Sequence, residues 1–87
     1  ALEWGLINRV FEDINLEEET INIAKKLSKG PMSLRLIRKA FWESSDNTYE
    51  EQLNLERQLQ FEAGQSEDFK EGVKAFLEKR DTNFSGK

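Results

Sequence analysis

The chain has 87 residues, enough for one domain at most, and a domain of this size buries only about 60% of the surface that its unfolded chain exposes. Its 13 Lys and Arg against 17 Asp and Glu give a net charge of -4, which argues against a nucleic-acid partner. With no Cys and no His, disulfides, thiolate metal sites and the usual general base are excluded, and any chemistry would depend on carboxylates, Lys or Tyr.

The first residues resemble the end of a helix. Ala1 to Trp4 fit a last helical turn, and Gly5 fits the position just after it, where glycine is common. Because a helix this short is not stable alone, residues 1–14 are predicted to be a remnant of the connection to a catalytic core that precedes them. Leu6 to Phe11 are predicted to be extended without a pairing partner.

Two helices are predicted next, at residues 15–28 and 31–44. Asn15 and Glu18 have the spacing of a capping box, which predicts that the first helix begins at Asn15. Pro31 follows the break at Gly30, and proline suits the first position of a helix because its missing N–H would have no partner there.

Two further helices are predicted at residues 48–63 and 66–80. Thr48 and Glu51 form a second capping-box pattern, and Ser66 is a suitable N-cap followed by acidic residues. The expected fold class is therefore all-α, a small bundle of four short helices with an extended N-terminal segment. Residues 15–80 would form the helical domain, and residues 81–87 a flexible tail unless they dock.

The fourth predicted helix carries the clearest apolar pattern of the chain. Phe69, Val73, Phe76 and Leu77 follow the spacing of one buried stripe, which also includes Gly72. Glycine costs roughly 1 kcal/mol against alanine inside a helix, so close packing against the backbone at Gly72 is expected.

Other features favour ordinary structural roles. Trp4 and Trp42 fit core or interface packing better than stacking on a base or sugar. The basic patch of Arg35, Arg38 and Lys39 fits ordinary surface better than a phosphate site. The acidic residues of the third predicted helix fit a solvated face rather than a paired acid and base; they are Glu50, Glu51, Glu56 and Glu62. No apolar run approaches a membrane span, so no membrane partner is expected, and the lack of Cys fits a cytoplasmic location.

The order of these features resembles the C-terminal part of the enoyl-CoA hydratase/isomerase, or crotonase, family. The resemblance begins at the segment Trp4 to Val10 and is most specific at its end, from Glu71 to Arg80, with Phe84 and Gly86 beyond. It covers essentially the whole chain. The sequence of residues 55–57 and 62–66 is most similar to that of the ring-epoxide isomerases of phenylacetyl-CoA degradation. Thr82 stands where the family often has Pro.

This resemblance implies that catalysis belongs to a core that is not in this sequence. Family members polarise the carbonyl of a coenzyme A (CoA) thioester in an oxyanion hole, so the CoA thioester would be the substrate of the parent enzyme, and this chain alone would have no catalytic residues. The helical part would cover that core and contact neighbouring subunits of a trimer or hexamer. Matched by motif, Phe76 and Lys79 would contact CoA.

Two alternatives remain open from the sequence. Phe76 fits a core residue in the apolar stripe as well as a ligand contact, and Lys79 fits a solvated charge at a helix end. The chain as a whole could also be a stand-alone helical interaction module without an enzymatic parent.

Overall fold

The structure is a computed structural model that describes residues 1–87. It contains four helices and no strand: α1 (Asp13–Ser28), α2 (Ser33–Ser44), α3 (Tyr49–Gly64) and α4 (Glu67–Glu78). The predicted all-α class with an extended N-terminal segment is confirmed. None of the helices combines the length and the apolarity that crossing a membrane requires.

The N-terminal turn has the predicted geometry. Gly5 has a φ of 76°, its N–H donates to the carbonyl of Leu2, and the N–H of Leu6 donates to the carbonyl of Ala1. This pair of hydrogen bonds closes a helical turn with glycine in the left-handed region, where a Cβ would be strained. The segment that follows contains no regular element before α1.

The start of α1 differs from the prediction. The helix begins at Asp13, and its N-cap is Glu12, whose side chain makes no capping hydrogen bond. Asn15 is already helical, and its N–H donates to the carbonyl of Glu12. The predicted capping box of Asn15 and Glu18 is therefore wrong, because an acidic residue at the first helical position allows the helix to begin earlier.

The start of α2 also differs, in the opposite direction. The regular helix begins at Ser33 rather than Pro31, and the N–H of Leu34 donates to the carbonyl of Pro31 in a tighter first turn. The N–H of Met32 is taken by the carboxylate of Asp68, 36 residues further along the chain. This long-range bond fixes the turn between α1 and α2.

The caps of α3 and α4 are confirmed. Thr48 accepts a hydrogen bond from the N–H of Glu51, and Glu51 accepts one from the N–H of Thr48, so the capping box is complete. Ser66 accepts from the N–H of Phe69 at the start of α4. α4 ends at Glu78, two residues earlier than predicted.

The helices bury very little surface among themselves. α2 packs on α3 and α3 packs on α4, whereas no residue of α1 is buried. The buried apolar residues of the whole chain are Leu36, Leu59 and Ala75. The radius of gyration is 16.4 Å, against about 12 Å for a compact chain of this length. The accessible surface is 7944 Å², against about 5,300 Å² for a compact monomer of this mass.

Many large apolar side chains are consequently exposed. They occur on all four helices and on the N-terminal segment, and those most exposed are Trp4, Leu6, Val10, Ile14, Phe41, Trp42, Tyr49, Phe61, Phe76 and Leu77. Trp4 and Trp42 therefore do not pack in a core of this chain. Arg38 lies over the ring of Trp42, 4.5 Å from its centre, in a cation–π contact.

Candidate functional site

A groove of about 400 Å³ lies along α4, between that helix, the turn before α2 and the C-terminal tail. Its walls are mainly apolar and include three aromatic rings. The residues on the apolar part of these walls are Pro31, Ala63, Phe69, Gly72, Val73, Phe76 and Phe84. Ser33, Ser66 and Asp68 complete the lining. The groove thus uses the apolar stripe of α4 and one residue from the tail.

Phe76, one of the two predicted ligand contacts, lies at this groove. Its side chain is 82% exposed, and Leu77 beside it is 74% exposed. The interpretation of Phe76 as a core residue is therefore wrong for this chain, and so is the expectation that the stripe is buried. The covered positions of α4 are instead Asp68 and Ala75, with Glu71 and Gly72 half-buried.

Lys79, the other predicted contact, ends α4 in an unusual conformation. It has a φ of 55° and is the one residue other than glycine with a positive φ. Its N–H donates to the carbonyl of Phe76, and the N–H of Arg80 donates to the carbonyl of Ala75, the arrangement of a Schellman motif. The left-handed backbone costs a residue with a Cβ about 1–2 kcal/mol, and glycine usually occupies this position.

This conformation changes the geometry on which the prediction rested. Helical spacing places Phe76 and position 79 on one side only while the helix continues, and it stops at Glu78. The direction of the Lys79 side chain is therefore set by its left-handed backbone, and the chain reverses there to run back along α4.

Asp68 joins three separate parts of the chain. Its carboxylate accepts hydrogen bonds from the N–H groups of Met32 (2.7 Å), Ser85 (2.7 Å) and Gly86 (2.9 Å), and the residue is 2% exposed. Burial acts to raise the pKa of Asp68, but these backbone donors outweigh it, and the pKa is lowered. The N–H of Asp68 in turn donates to the carbonyl of Lys87.

Glu71, one helical turn further on, binds Arg80 and the tail. Both terminal nitrogens of Arg80 donate to its carboxylate at 2.8 Å in a forked pair, and the N–H of Asn83 donates to it at 2.7 Å. The hydrogen bond with Arg80 is the main reason why the pKa of Glu71 is lowered to about 2. Glu71 also raises the pKa of Arg80, which contacts Glu78 as well.

These bonds dock the C-terminal tail on α4. The ring of Phe84 lies 3.8 Å from the point where a side chain at Gly72 would begin. Phe84 therefore packs against Gly72 as expected, but at an ordinary van der Waals distance that an alanine would also allow. Gly86 has a φ of 82°, so the tail needs a glycine there. The sequence pattern did not indicate Asp68, Glu71 or Arg80 as a group, because their spacing becomes meaningful only after the reversal at Lys79.

The remaining acidic residues do not assemble into a site. The structure contains no group of three or more acidic side chains placed to hold a metal ion. Glu51 is committed to the capping box, where its hydrogen bonds with Thr48 lower its pKa. Glu50, Glu56 and Glu62 are exposed on α3, as a solvated face predicts.

The family model for enoyl-CoA hydratase/isomerase matches residues 1–87. The chain belongs to the enoyl-CoA hydratase/isomerase family. It is 43% identical to a 1,2-epoxyphenylacetyl-CoA isomerase of Escherichia coli and 42% identical to a probable enoyl-CoA hydratase of Rhodobacter capsulatus. It is 39% identical to a trans-2-decenoyl-[acyl-carrier-protein] isomerase of Streptococcus mutans. Each match covers 100% of this chain and 34% of the relative.

Solved structures give the same relation. The chain is 41% identical to an enoyl-CoA hydratase subunit I of Geobacillus kaustophilus, with a TM-score of 0.88 over 100% of this chain and 34% of the other. The extended arrangement of four helices, with its small core and large exposed surface, is therefore an arrangement that this family adopts. The chain spans about a third of the length of the family members that it matches.

Proposed function

We propose that this chain is the C-terminal helical part of an acyl-thioester hydratase or isomerase, and that its apolar faces lie on a catalytic core and on neighbouring subunits of a trimer or hexamer. The observation that carries the proposal is the exposed apolar stripe of α4. Phe76 and Leu77 are more than two-thirds exposed although they follow the spacing of a packed face. An exposed apolar surface of this kind is typical of an interaction site.

The relatives supply the substrate class. Their names specify isomerisation or hydration of acyl groups carried as thioesters, on CoA in two cases and on an acyl-carrier protein in the third. Their length leaves about two-thirds of each protein to supply a catalytic core. The reaction proposed for the parent enzyme is the family's stabilisation of an enolate in an oxyanion hole, and this chain contributes no catalytic residue to it. A cytoplasmic location accompanies this proposal.

Phe76 and Lys79 are proposed to contact the nucleotide part of CoA. Phe76 presents an exposed ring beside an apolar groove, and Lys79 is an exposed cation at the adjoining end of α4. A stand-alone interaction module would share the exposed stripe, but it would not account for membership of this family.

A titration of the full-length protein with CoA, followed at the backbone amides around Phe76, tests the ligand contact. Lys79→Gln is expected to weaken binding about tenfold, because one charge-assisted hydrogen bond to a phosphate is lost. Lys70→Gln is the matched control, since Lys70 is also an exposed lysine, near the other end of α4, and the substitution is expected to leave binding unchanged. Amides that do not respond to CoA would contradict the contact.

The covering role has its own test. Light scattering of the full-length protein, compared with a version that ends before Ser66, measures the size of the assembly. Loss of the trimer or hexamer on removal of α4 is expected, because its apolar stripe would no longer bury surface between subunits. An unchanged assembly would contradict the proposed role of α4.

A further inference from the structure

Asp68 and Glu71 lie on the covered side of α4, and neither is one of the two proposed CoA contacts, Phe76 and Lys79. Asp68 also forms part of the lining of the groove. Between them they accept main-chain hydrogen bonds from Asn83, Ser85 and Gly86. Glu71 also holds the guanidinium of Arg80, the first residue after the reversal. Residues 80–86 have no helical structure of their own. These hydrogen bonds to Asp68 and Glu71 therefore connect an irregular segment to α4.

We propose that Asp68 and Glu71 are positioning residues that clasp residues 80–86 onto α4 and thereby keep Phe84 in place as one wall of the groove. The clasp is reciprocal, because the N–H of Asp68 donates to the carbonyl of Lys87 while its carboxylate accepts from Ser85 and Gly86. The tail thus satisfies an N–H of the first turn of α4 that has no partner inside the helix.

The clasp matters for the groove because Phe84 reaches it only from the docked tail. Its ring lies over Gly72, and it lines the groove together with Phe69 and Phe76. A segment of seven residues with a single large apolar side chain cannot remain docked through Phe84 alone, since fixing each residue costs about 1–2 kcal/mol of backbone entropy. The carboxylates supply fixed acceptors that specify where each main-chain N–H lies.

The same clasp ties the tail to the turn before α2. Asp68 accepts from Met32 as well as from the tail, and Pro31 beside Met32 forms another part of the groove. One buried carboxylate therefore sets the relative position of two walls that are far apart in sequence. Removing its charge is expected to loosen both.

The first test measures the tail directly by hydrogen exchange of the Ser85 and Gly86 amides in the full-length protein. Ser85 donates to one carboxylate oxygen of Asp68, and Met32 and Gly86 donate to the other. Asp68→Asn removes the negative charge and leaves a single acceptor oxygen, which cannot serve both sets of donors. Exchange at both amides is expected to increase at least about tenfold, as local opening becomes easier. Asp81→Asn is the matched control, because Asp81 is an exposed carboxylate in the tail itself, and it should leave these rates within about twofold.

Glu71→Gln, with Glu67→Gln as its control, repeats the test at the second carboxylate. Glu67 is exposed, and its carboxylate forms an ion pair with Lys70 on its own helix. Faster exchange at Asn83 in Glu71→Gln alone supports the clasp. Exchange at Ser85 and Gly86 that is already unprotected in the unchanged protein, or that is unaffected by Asp68→Asn, overturns it. Both readouts are independent of any ligand.

The second test concerns the groove and rests on the proposed function. The affinity for free CoA is expected to fall several-fold in Asp68→Asn and in Phe84→Ala, and to stay unchanged in Asp81→Asn. If Asp68→Asn releases the tail while CoA affinity is unchanged, the claim that the clasp shapes the binding groove is wrong. If CoA does not bind even the unchanged protein while the exchange results hold, the clasp stands and the proposed CoA contact fails.

Discussion

The two long faces of α4 both follow helical spacing, but one is covered by the rest of the chain and the other is exposed. The covered face consists of Asp68, Glu71, Gly72 and Ala75, and the tail lies along it. The apolar stripe is displaced by one residue around the helix and is exposed. It consists of Phe69, Val73, Phe76 and Leu77, whereas Gly72, which the sequence pattern placed on the stripe, is half-buried on the covered face. The more polar face is therefore the one that this chain covers.

The two faces therefore fit different partners: the tail of this chain covers the polar face, and the apolar stripe is left for another surface. The carboxylates of the covered face accept hydrogen bonds from main-chain N–H groups of the tail, which need acceptors because the tail has no regular structure. The small side chains at Gly72 and Ala75 let neighbouring residues approach. The apolar stripe gains nothing from such a tail. It is available for a surface outside these residues, as the proposed function requires.

The largest effect is expected from enlarging the covered face. Ala75 is 1% exposed, so Ala75→Leu would force a larger side chain into a filled space and lower the free energy of unfolding. Overpacking of this kind costs about 1–3 kcal/mol. Urea denaturation followed by circular dichroism measures it. Ala24→Leu, at an exposed position of α1, is the control, and an equal loss in both variants would show that Ala75 is not closely covered.

Acid should release the tail from the covered face of α4 and leave the apolar stripe unaffected. The ordinary pKa of Glu71 is 4.5, and Arg80, with the N–H of Asn83 and the charge of Lys74, lowers it to about 2 in the folded chain. A lowered pKa stabilises the docked tail above pH 4.5, and this stabilisation is lost as the pH falls towards 2. The pKa of Asp68 is also lowered, so it adds in the same direction.

The chemical shift of the Asn83 amide, followed through an acid titration, measures this release. Glu71→Gln should remove most of the change, because the amide no longer faces a titrating group. A midpoint at the ordinary carboxylate value in the unchanged protein would mean that Arg80 and Asn83 do not hold Glu71 as the structure describes.

Sequence patterns predicted the local features of this comparison well. Ser66 and Thr48 were identified as caps because a side-chain oxygen and a nearby N–H are sufficient to define each one. Gly72 was identified as a packing position because a glycine inside a helix has a known cost, and Phe84 packs there at an ordinary van der Waals distance. Asn15 failed as a cap because the same spacing also occurs inside a helix, and residues before it decide where the helix begins.

The candidate site was only partly predictable. Phe76 and Lys79 came from a family resemblance, while the periodicity that suggested a buried stripe could not indicate which body would bury it. The clasp was not predicted, since Glu71 and Arg80 are nine residues apart and meet only through the reversal at Lys79. A lysine at that position carries no sequence signal for a left-handed backbone, which glycine usually supplies.

Lys79 offers a smaller test, located where the two faces end. Lys79→Gly should raise the free energy of unfolding by about 1 kcal/mol, because glycine adopts the left-handed conformation without strain. Lys70→Gly is the matched control and should lower it by about 0.5–1 kcal/mol, since Lys70 lies inside α4. Urea denaturation of both variants should show changes of opposite sign in the free energy of unfolding. A lower free energy of unfolding in Lys79→Gly would contradict the left-handed conformation of Lys79.

Substitutions on the apolar stripe are expected to change the stability of the 87-residue chain least, although the stripe carries the large apolar side chains of α4. Phe76 is 82% exposed, so Phe76→Ala should change the free energy of unfolding by no more than about 0.5 kcal/mol. A phenylalanine packed in a core would lose about 3–5 kcal/mol on the same change. Phe84→Ala is the matched comparison, because that ring packs over Gly72, and it should cost clearly more. A Phe76→Ala loss as large as that of Phe84→Ala would mean that the stripe is already buried within these residues, and the case for an outside surface would be lost.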